Sequence, residues 1–250
     1  MHCFYVNKDQ ILEDRIKILG EDVNHIKNVL RKSLGEQLLL CDKEGLFYTV
    51  QIDTLDAREI WTRIQSIEAA KTELPTKIYL FQALPKKDKM ELIIQKAVEL
   101  GVYEVIPVAS TFCVMKLEDK KKEQKKIERW QAISEAAAKQ SGRGIIPSIH
   151  TPVSFKEAIT MAGRLDAAVI PYENAEGIKA SKEAILNLSK KTAVGIFIGP
   201  EGGFSTEEIE LAKKASVDPI TLGKRILRTE TAGFTILSLL MFEIEQNSEK

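Results

Sequence analysis

Residues 193–204 read AVGIFIGPEGGF, and this stretch gives the strongest indication of the fold. Its first half is a short apolar run, as expected of a strand that is buried on both faces of a sheet. Its second half is a glycine-rich loop. Ser205, with Glu208 three residues further on, forms a capping box that predicts a helix directly after the loop. The order of strand, tight loop and helix indicates an α/β sheet.

A second stretch, residues 219–231, reads PITLGKRILRTET. It predicts a last short strand over 219–222 and a final helix that begins near Thr229, with Thr229 as its N-cap and Glu230 in its first turn. Capping explains neither Arg225 nor Arg228. These cations either suit an anionic partner at the ligand edge of the sheet or are simply surface arginines.

Between residues 73 and 250, strand-like and helix-like patterns alternate. Strands are predicted over 78–82, 103–108, 167–170, 193–198 and 219–222, and helices over 90–100, 127–140, 154–162, around 185, from 205 and from 229. Such alternation predicts an α/β domain with a mainly parallel sheet covered on both faces. Ligands of such sheets bind beyond the carboxyl ends of the strands, where both quoted loops lie.

Residues 1–72 show a different pattern and are predicted to form a separate domain. Short β-type runs over 3–6, 37–41, 46–52 and 60–67 suggest a small barrel, with one helix over 25–31 that ends near Gly35. The polar linker 71–76 contains Pro75 and separates this domain from residues 73–250.

Composition excludes several classes of function. Thirty-six basic residues balance thirty-six acidic ones, so any nucleic acid must be bound by local patches rather than by net charge. The three cysteines have no metal-ligand spacing and are predicted to be reduced thiols without a metal. No stretch resembles a signal peptide or reaches the length of a membrane span, so we expect a cytoplasmic protein.

The glycine loop 199–204 has two interpretations. Glycines let backbone N–H groups approach a ligand closely, but they also serve simple tight turns. The loop matches neither GxxxxGK[ST] nor GxGxxG, which argues against ATPases, GTPases and dinucleotide-binding proteins.

The two loops together resemble the bacterial 16S ribosomal RNA uridine N3-methyltransferase family of the SPOUT superfamily. Further similarity covers residues 89–101, 128–130 and 140–143, and residues 25–31 resemble the helix of the family's PUA-like barrel. The resemblance spans nearly the whole chain. It implies a PUA-like barrel followed by a methyltransferase domain with a deep trefoil knot, in a homodimer to which the apolar stripe of the final helix contributes.

The resemblance also implies a cofactor and a substrate. The cofactor is S-adenosylmethionine, and the family target is uridine 1498 of 16S ribosomal RNA in the 30S subunit. The residues implied to hold the cofactor belong to the two loops: Gly199, Pro200, Glu201, Gly202, Gly203, Leu222, Gly223, Ile226, Leu227 and Thr229.

Uridine N3 carries a proton at neutral pH, so the reaction needs a base or a cation that stabilises the uridine anion. Arg228 or Arg143 is predicted to supply the cation. Glu230 or Glu201 is predicted to be the base, unless these carboxylates only cap a helix or orient an arginine. No metal is required.

The residues predicted to bind RNA share a basic or polar side chain: Arg31, Lys86, Lys89, Gln140, Arg143 and Arg225. A run of six lysines between Lys116 and Lys126 is a further candidate for phosphate contact or is a solvated helix face. The chain departs from the family at His2, Cys3 and Phe112, where the family often has arginine. Phe112 is able instead to stack on a base.

Two other functions stay open at this point. One is methylation of a ribose 2′-hydroxyl of ribosomal RNA, a reaction that the same superfamily performs. The other is a non-catalytic RNA-binding or assembly protein that retains an inactive pocket.

Overall fold

A computed structural model describes residues 3–114, 120–175 and 177–248. The chain divides into two compact units. The first comprises the residues up to Glu73 together with Ala138–Ile146, and the second comprises Leu74–Ala137 and the residues from Pro147 onward.

The first unit is built on a five-stranded sheet with the order β1-β3-β4-β5-β2. Its elements are β1 (Cys3–Tyr5), a 3₁₀ turn (Lys8–Gln10), β2 (Arg15–Leu19), α1 (Glu21–Asn24) with a π-helical turn (His25–Val29), β3 (Gln37–Cys41), β4 (Leu46–Leu55) and β5 (Glu59–Ala69). Irregular pairing of β4 with β5 at Thr49/Val50 and Ile52/Thr54 lets the sheet curl around its core.

Four of these strands lie where the sequence predicts them. The prediction missed β2, whose Ile16 and Ile18 are nearly fully buried and alternate with exposed or half-buried residues. The predicted helix is also displaced, since its turns run from Glu21 to Val29 and end well before Gly35.

Residues 138–146 pack within this first unit. Arg143 is almost completely buried there, and its Nη2 lies 2.5 Å from Glu73 Oε2. Glu73 Oε1 also accepts a hydrogen bond from the Gly144 N–H at 2.8 Å. A buried guanidinium needs such a partner, because an unpaired charge in this position would cost several kcal/mol.

The second unit is a seven-stranded sheet whose paired strands are parallel. Its strand order is β12-β10-β11-β6-β7-β8, with β9 also pairing with β7. The elements are β6 (Lys77–Ala83), α2 (Lys89–Glu99), β7 (Glu104–Ala109), α3 (Lys120–Ser141), β8 (Ser148–Ile149), β9 (Val153–Ser154), α4 (Phe155–Ala162), β10 (Ala167–Pro171), α5 (Ile178–Leu188), β11 (Ala193–Ile198), α6 (Thr206–Lys214), β12 (Val217–Ile220) and α7 (Thr229–Ser248).

Helices cover both faces of this sheet, as the alternation predicts. On one face Phe81 and Phe197 stack with ring centroids 4.4 Å apart, in a core shared with α4 and α6. Ile198, the neighbour of Phe197, points to the opposite face, where Gly233 of α7 packs close to its side chain. The mainly parallel α/β fold is therefore confirmed.

Two local predictions of helix ends are also confirmed. Ser205 and Glu208 form the reciprocal capping box that begins α6. Gly101 has a φ of +86° and follows the last turn of α2, the backbone conformation that glycine supplies at a helix C-terminus.

The last strand was predicted two residues too late. β12 covers Val217–Ile220 at the edge of the sheet, where Pro219 can be accommodated because an edge strand does not need every N–H. Thr221 and Leu222, predicted as strand, belong to the following loop. Among the described helices, none combines the length and apolar character needed to cross a membrane.

Candidate active site

A cavity of about 580 Å³ opens at the carboxyl edge of the parallel sheet. Both quoted loops border it, together with the segment after β10 and the start of α7. Its lining comprises Lys89, 171–173, 198–204, 221–223, 225–229 and Ala232. This volume lies within the range of small-molecule sites, so the edge that the topology designates for a ligand does contain room for one.

The first loop is a tight turn that depends on glycine. The N–H of Gly203 donates to the carbonyl of Pro200 at 2.9 Å, and Gly203 has a φ of +70°. A Cβ on Gly199 would lie 3.3 Å from Gly203 Cα. Side chains at these positions would strain or push apart the turn that borders the cavity.

The second loop is fixed by two hydroxyl groups. Thr221 N–H donates to Ser181 Oγ of α5 at 2.9 Å, and Gly223 N–H donates to Thr221 Oγ1 at 3.2 Å. Gly223 has a φ of +118°, a conformation that other residues adopt only with strain. The backbone of the second loop is therefore held in place without a bulky side chain at Gly223.

A buried relay of hydrogen bonds joins the two loops. Thr229 Oγ1 lies 2.6 Å from the Gly199 carbonyl, which has no proton, so the threonine hydroxyl donates to it. The same oxygen accepts from Gln82 Nε2 at 3.0 Å, and Gln82 is fully buried. The predicted capping hydroxyl of Thr229 thus bonds to the other loop and to β6 instead of to its own helix.

Lys89 forms a second connection between the loops. Its Nζ lies 3.0 Å from Glu201 Oε1 and 3.2 Å from Glu230 Oε2. Glu230 Oε2 is buried and accepts no hydrogen bond from the described residues, so the latter contact is an ion pair without hydrogen-bond alignment. Lys89, predicted to bind RNA, is thereby placed between the two carboxylates that were predicted as alternative bases.

The environment of Glu201 favours its ionised form. Burial opposes ionisation, but the ammonium of Lys89 and the backbone N–H groups of Glu201 and Lys86 outweigh it and hold the pKa of Glu201 below its ordinary value. The hydrogen bond from Lys89 to Glu201 in turn raises the pKa of the lysine. Both groups are therefore charged at neutral pH, and Glu201 is a weak base.

Arg225 and Arg228 supply positive charge at the cavity. Both side chains are exposed, both residues line the cavity, and neither forms an ion pair with any described residue. Ile226 between them is 86% exposed. These cations are therefore available to an anionic ligand.

All ten residues predicted to hold a cofactor line this one cavity, as do Glu201, Arg228, Lys89 and Arg225. Glu230 does not line it, and neither do Arg31, Lys86, Gln140 and Arg143. Arg31 and Gln140 are exposed residues of the first unit, whereas the buried pairing of Arg143 with Glu73 indicates a structural role. His2 and Lys116 lie outside the described residues.

Several residues that shape the site were not predicted. Tyr172 and Glu173 line the cavity, and their position directly after the predicted strand 167–170 was an available signal. Gln82 acts from a buried position, and Glu208, predicted as part of the capping box, makes a further contact that was not predicted. Glu208 Oε1 accepts the Thr111 N–H at 2.8 Å, and no sequence pattern indicates such a long-range contact. The described residues contain no group of three potential metal ligands.

Two family models match the chain. The model of an RNA methyltransferase domain covers residues 72–241, and that of an RNA methyltransferase PUA domain covers residues 18–65. The chain, with its α/β sheet and cavity, is therefore an RNA methyltransferase.

Individual relatives narrow this class. The ribosomal RNA small subunit methyltransferase E of Bacillus subtilis is 35% identical over 96% of this chain and 95% of its own. A methyltransferase of Legionella pneumophila, solved in complex with the cofactor SAM, is 33% identical with a TM-score of 0.80 over 96% of this chain and 97% of its own. The ribosomal RNA small subunit methyltransferase E of Neisseria gonorrhoeae, solved with bound S-adenosylmethionine, is 28% identical with a TM-score of 0.80 over 97% of each chain. The chain belongs to the ribosomal RNA small subunit methyltransferase E family.

Proposed function

We propose that this protein methylates N3 of one uridine of 16S ribosomal RNA, the family target uridine 1498, with S-adenosylmethionine as methyl donor. The observation that carries the proposal is that two loops, residues 199–204 and 221–229, border one cavity at the ligand edge of the sheet. The relatives solved with the cofactor support the same assignment.

The residues at the cavity fit this cofactor. Ile198, Leu222 and Leu227 provide apolar surface for an adenine ring, while Gly202 and Gly223 leave backbone groups accessible beside it. The carboxylate of Glu173 borders the cavity, which suits a ligand that carries a sulfonium and an ammonium group, whereas the carboxylate of Glu201 is ion-paired with Lys89. When bound, S-adenosylmethionine would supply an electrophilic methyl group for uridine N3, with S-adenosylhomocysteine as the leaving group and the N3 proton passing to solvent.

The protein's own residues then have separate roles. The two loops hold the cofactor and fix its orientation, which is the main requirement of an in-line transfer. Arg228 stabilises the negative charge on the uridine ring, because its exposed guanidinium borders the cavity and forms no ion pair with any described residue. Glu201 holds the first loop through Lys89, and its ionised, ion-paired state makes it a positioning residue rather than the base.

RNA contacts are proposed for basic and polar groups of both units. Arg225 is exposed at the cavity. Lys86 is an exposed residue between the end of β6 and Lys89, the first residue of α2. Arg31 and Gln140 offer exposed polar side chains on the first unit, and Lys120–Lys126 begin α3. Phosphate contacts of this kind position an RNA without reading its sequence.

The knot, the homodimer and the cellular location also belong to the proposal. The path of the chain supports a knot. After edge strand β12 the chain runs back to the first loop, where Thr229 at the start of α7 bonds to Gly199 and Gln82. A homodimer is supported by exposed apolar residues on α7, Leu239 and Phe242. The small ribosomal subunit as substrate places the protein in the cytoplasm.

Nucleoside mass spectrometry tests the function. Small subunits from a strain without this gene are incubated with the purified protein and S-adenosylmethionine, then digested to nucleosides. We expect one N3-methyluridine per subunit. A 2′-O-methylated nucleoside in its place, or no methylated product, would refute the proposal.

A further inference from the structure

Phe112 is an aromatic side chain that remains largely in solvent. It is 48% exposed, although it follows β7 at the carboxyl edge of the sheet, where the ligand cavity lies. Packing within the described residues therefore does not account for the whole ring. An exposed aromatic group is unremarkable by itself, so its surroundings decide whether it has a role.

The backbone that carries Phe112 is firmly held. On one side, Thr111 N–H donates to Glu208 Oε1 at 2.8 Å, which attaches the segment to the capping box of α6. On the other side, Cys113 N–H donates to the Ser110 carbonyl at 3.1 Å, and the Cys113 side chain packs against the core. The ring is thus presented by a fixed turn.

This turn places the ring beside the first cavity loop. A Cβ built on Gly202 would lie 3.0 Å from Phe112 Cβ and 3.5 Å from its Cγ, so the aromatic side chain lies against the bare Cα of that glycine. Gly202 lines the cavity, whereas Phe112 does not. The ring therefore packs against a residue of the cavity wall without lining the cavity itself.

We propose that Phe112 binds the RNA substrate by stacking on a base beside the cavity. This inference rests on the proposed function. A base must leave its stack before N3 becomes accessible, and unstacked bases are bound on aromatic faces. A rigidly held ring offers such a face at low entropic cost. The adjoining Gly202 has no side chain that would separate the ring from the first cavity loop.

Leucine and tryptophan at position 112 separate stacking from packing. Phe112→Leu keeps an apolar side chain against Gly202 but cannot stack, whereas Phe112→Trp retains a stacking face. Base stacking on an aromatic residue accounts for roughly 5- to 150-fold in affinity. We expect Phe112→Leu to raise the KM for small subunits about ten-fold and Phe112→Trp to stay within about three-fold of the wild type, the factors being taken from that range. S-adenosylmethionine affinity should be unchanged in both.

Val114→Ala is the matched control, because Val114 is an exposed apolar residue of the same segment without a ring. It should leave the KM unchanged. Equal losses in Phe112→Leu and Phe112→Trp, or a loss of cofactor affinity in Phe112→Leu, would show that the residue only packs against the loop and would overturn the inference.

Fluorescence provides a readout that does not depend on methyl transfer. A 16S RNA fragment that contains the target uridine should quench the tryptophan of Phe112→Trp beyond the change seen in the wild type, which carries Trp61 and Trp130. If this additional quenching is absent while the activity of Phe112→Leu is still impaired, the ring contacts a ribosomal protein rather than an RNA base, and the proposal is overturned. Quenching without methylation by the wild type would instead refute the proposed function alone.

Discussion

Replacing Thr229 by valine removes one hydroxyl at the point where the two cavity loops meet, with almost no change in side-chain shape. The hydroxyl donates to the Gly199 carbonyl at 2.6 Å and accepts from Gln82 Nε2 at 3.0 Å, and Thr229 is only 5% exposed. Thr229→Val therefore removes one hydrogen bond from the part-buried Gly199 carbonyl and one from the buried amide of Gln82.

The magnitude follows from what each group retains. A buried polar group that loses its partner costs about 1–3 kcal/mol. Gln82 Nε2 still donates to the Ala83 carbonyl, and the Gly199 carbonyl borders a cavity that water can enter. Both losses then fall at the low end of that range, about 2 kcal/mol together. If this whole free-energy cost weakens cofactor binding, the dissociation constant of S-adenosylmethionine rises up to about thirty-fold.

Urea unfolding and calorimetric titration measure the two effects separately. Thr229→Ser is the control, since it keeps the hydroxyl and loses only a methyl group, worth about 0.8 kcal/mol. Gln82→Leu combined with Thr229→Val should cost less than the sum of the single variants, because the two residues share a hydrogen bond. The reasoning is refuted if Thr229→Val matches the wild type in both assays, or if Thr229→Ser is damaged as severely as Thr229→Val.

Three further predictions concern the loops and the thiols. Lys89→Met should weaken S-adenosylmethionine binding several-fold, because a partly exposed ion pair contributes up to about 1 kcal/mol. The salt dependence of RNA binding should stay the same. If the slope of log K against log salt concentration falls by about 0.7 in magnitude, Lys89 instead contacts a phosphate. Gly223→Ala should also weaken cofactor binding in a titration, because a φ of +118° strains alanine by about 1–2 kcal/mol, and an unchanged affinity would contradict this. Burial raises the pKa of Cys41 to about 11 and, reinforced by Cys41, that of Cys3 to about 12. Both stay protonated thiols at pH 8 and become thiolates only at much higher pH, so they should resist alkylation in the native protein and react after unfolding in guanidinium; rapid native labelling in peptide mapping would disprove this.

The parts of the site that follow from local pattern were predictable. An apolar run, a glycine loop and a capping box place Gly199 and Ser205 at the end of a strand and the start of a helix. The rule that ligands bind at the carboxyl edge of a parallel sheet then brings Gly199 and Gly223 to the same side of the sheet.

What escaped prediction depends on contacts between distant residues. Lys89 follows a strand as a basic residue would if it bound phosphate, and only the fold shows that Glu201 and Glu230 surround it. The structural role of Arg143 also escaped prediction, because nothing in its sequence context indicates burial beside Glu73. Strand β2 was missed because its charged residues obscure the alternation of Ile16 and Ile18, as is usual for a strand at the edge of a sheet.

We propose that the loops around Gly199 and Gly223 form one binding site for S-adenosylmethionine, and isothermal titration calorimetry of the full chain with that cofactor tests this assignment. One molecule of cofactor should bind per chain, and Gly223→Ala and Thr229→Val, which alter different parts of the cavity wall, should each weaken that binding. Saturating heat that neither variant changes would place the site elsewhere, and no heat at millimolar cofactor would contradict the account altogether.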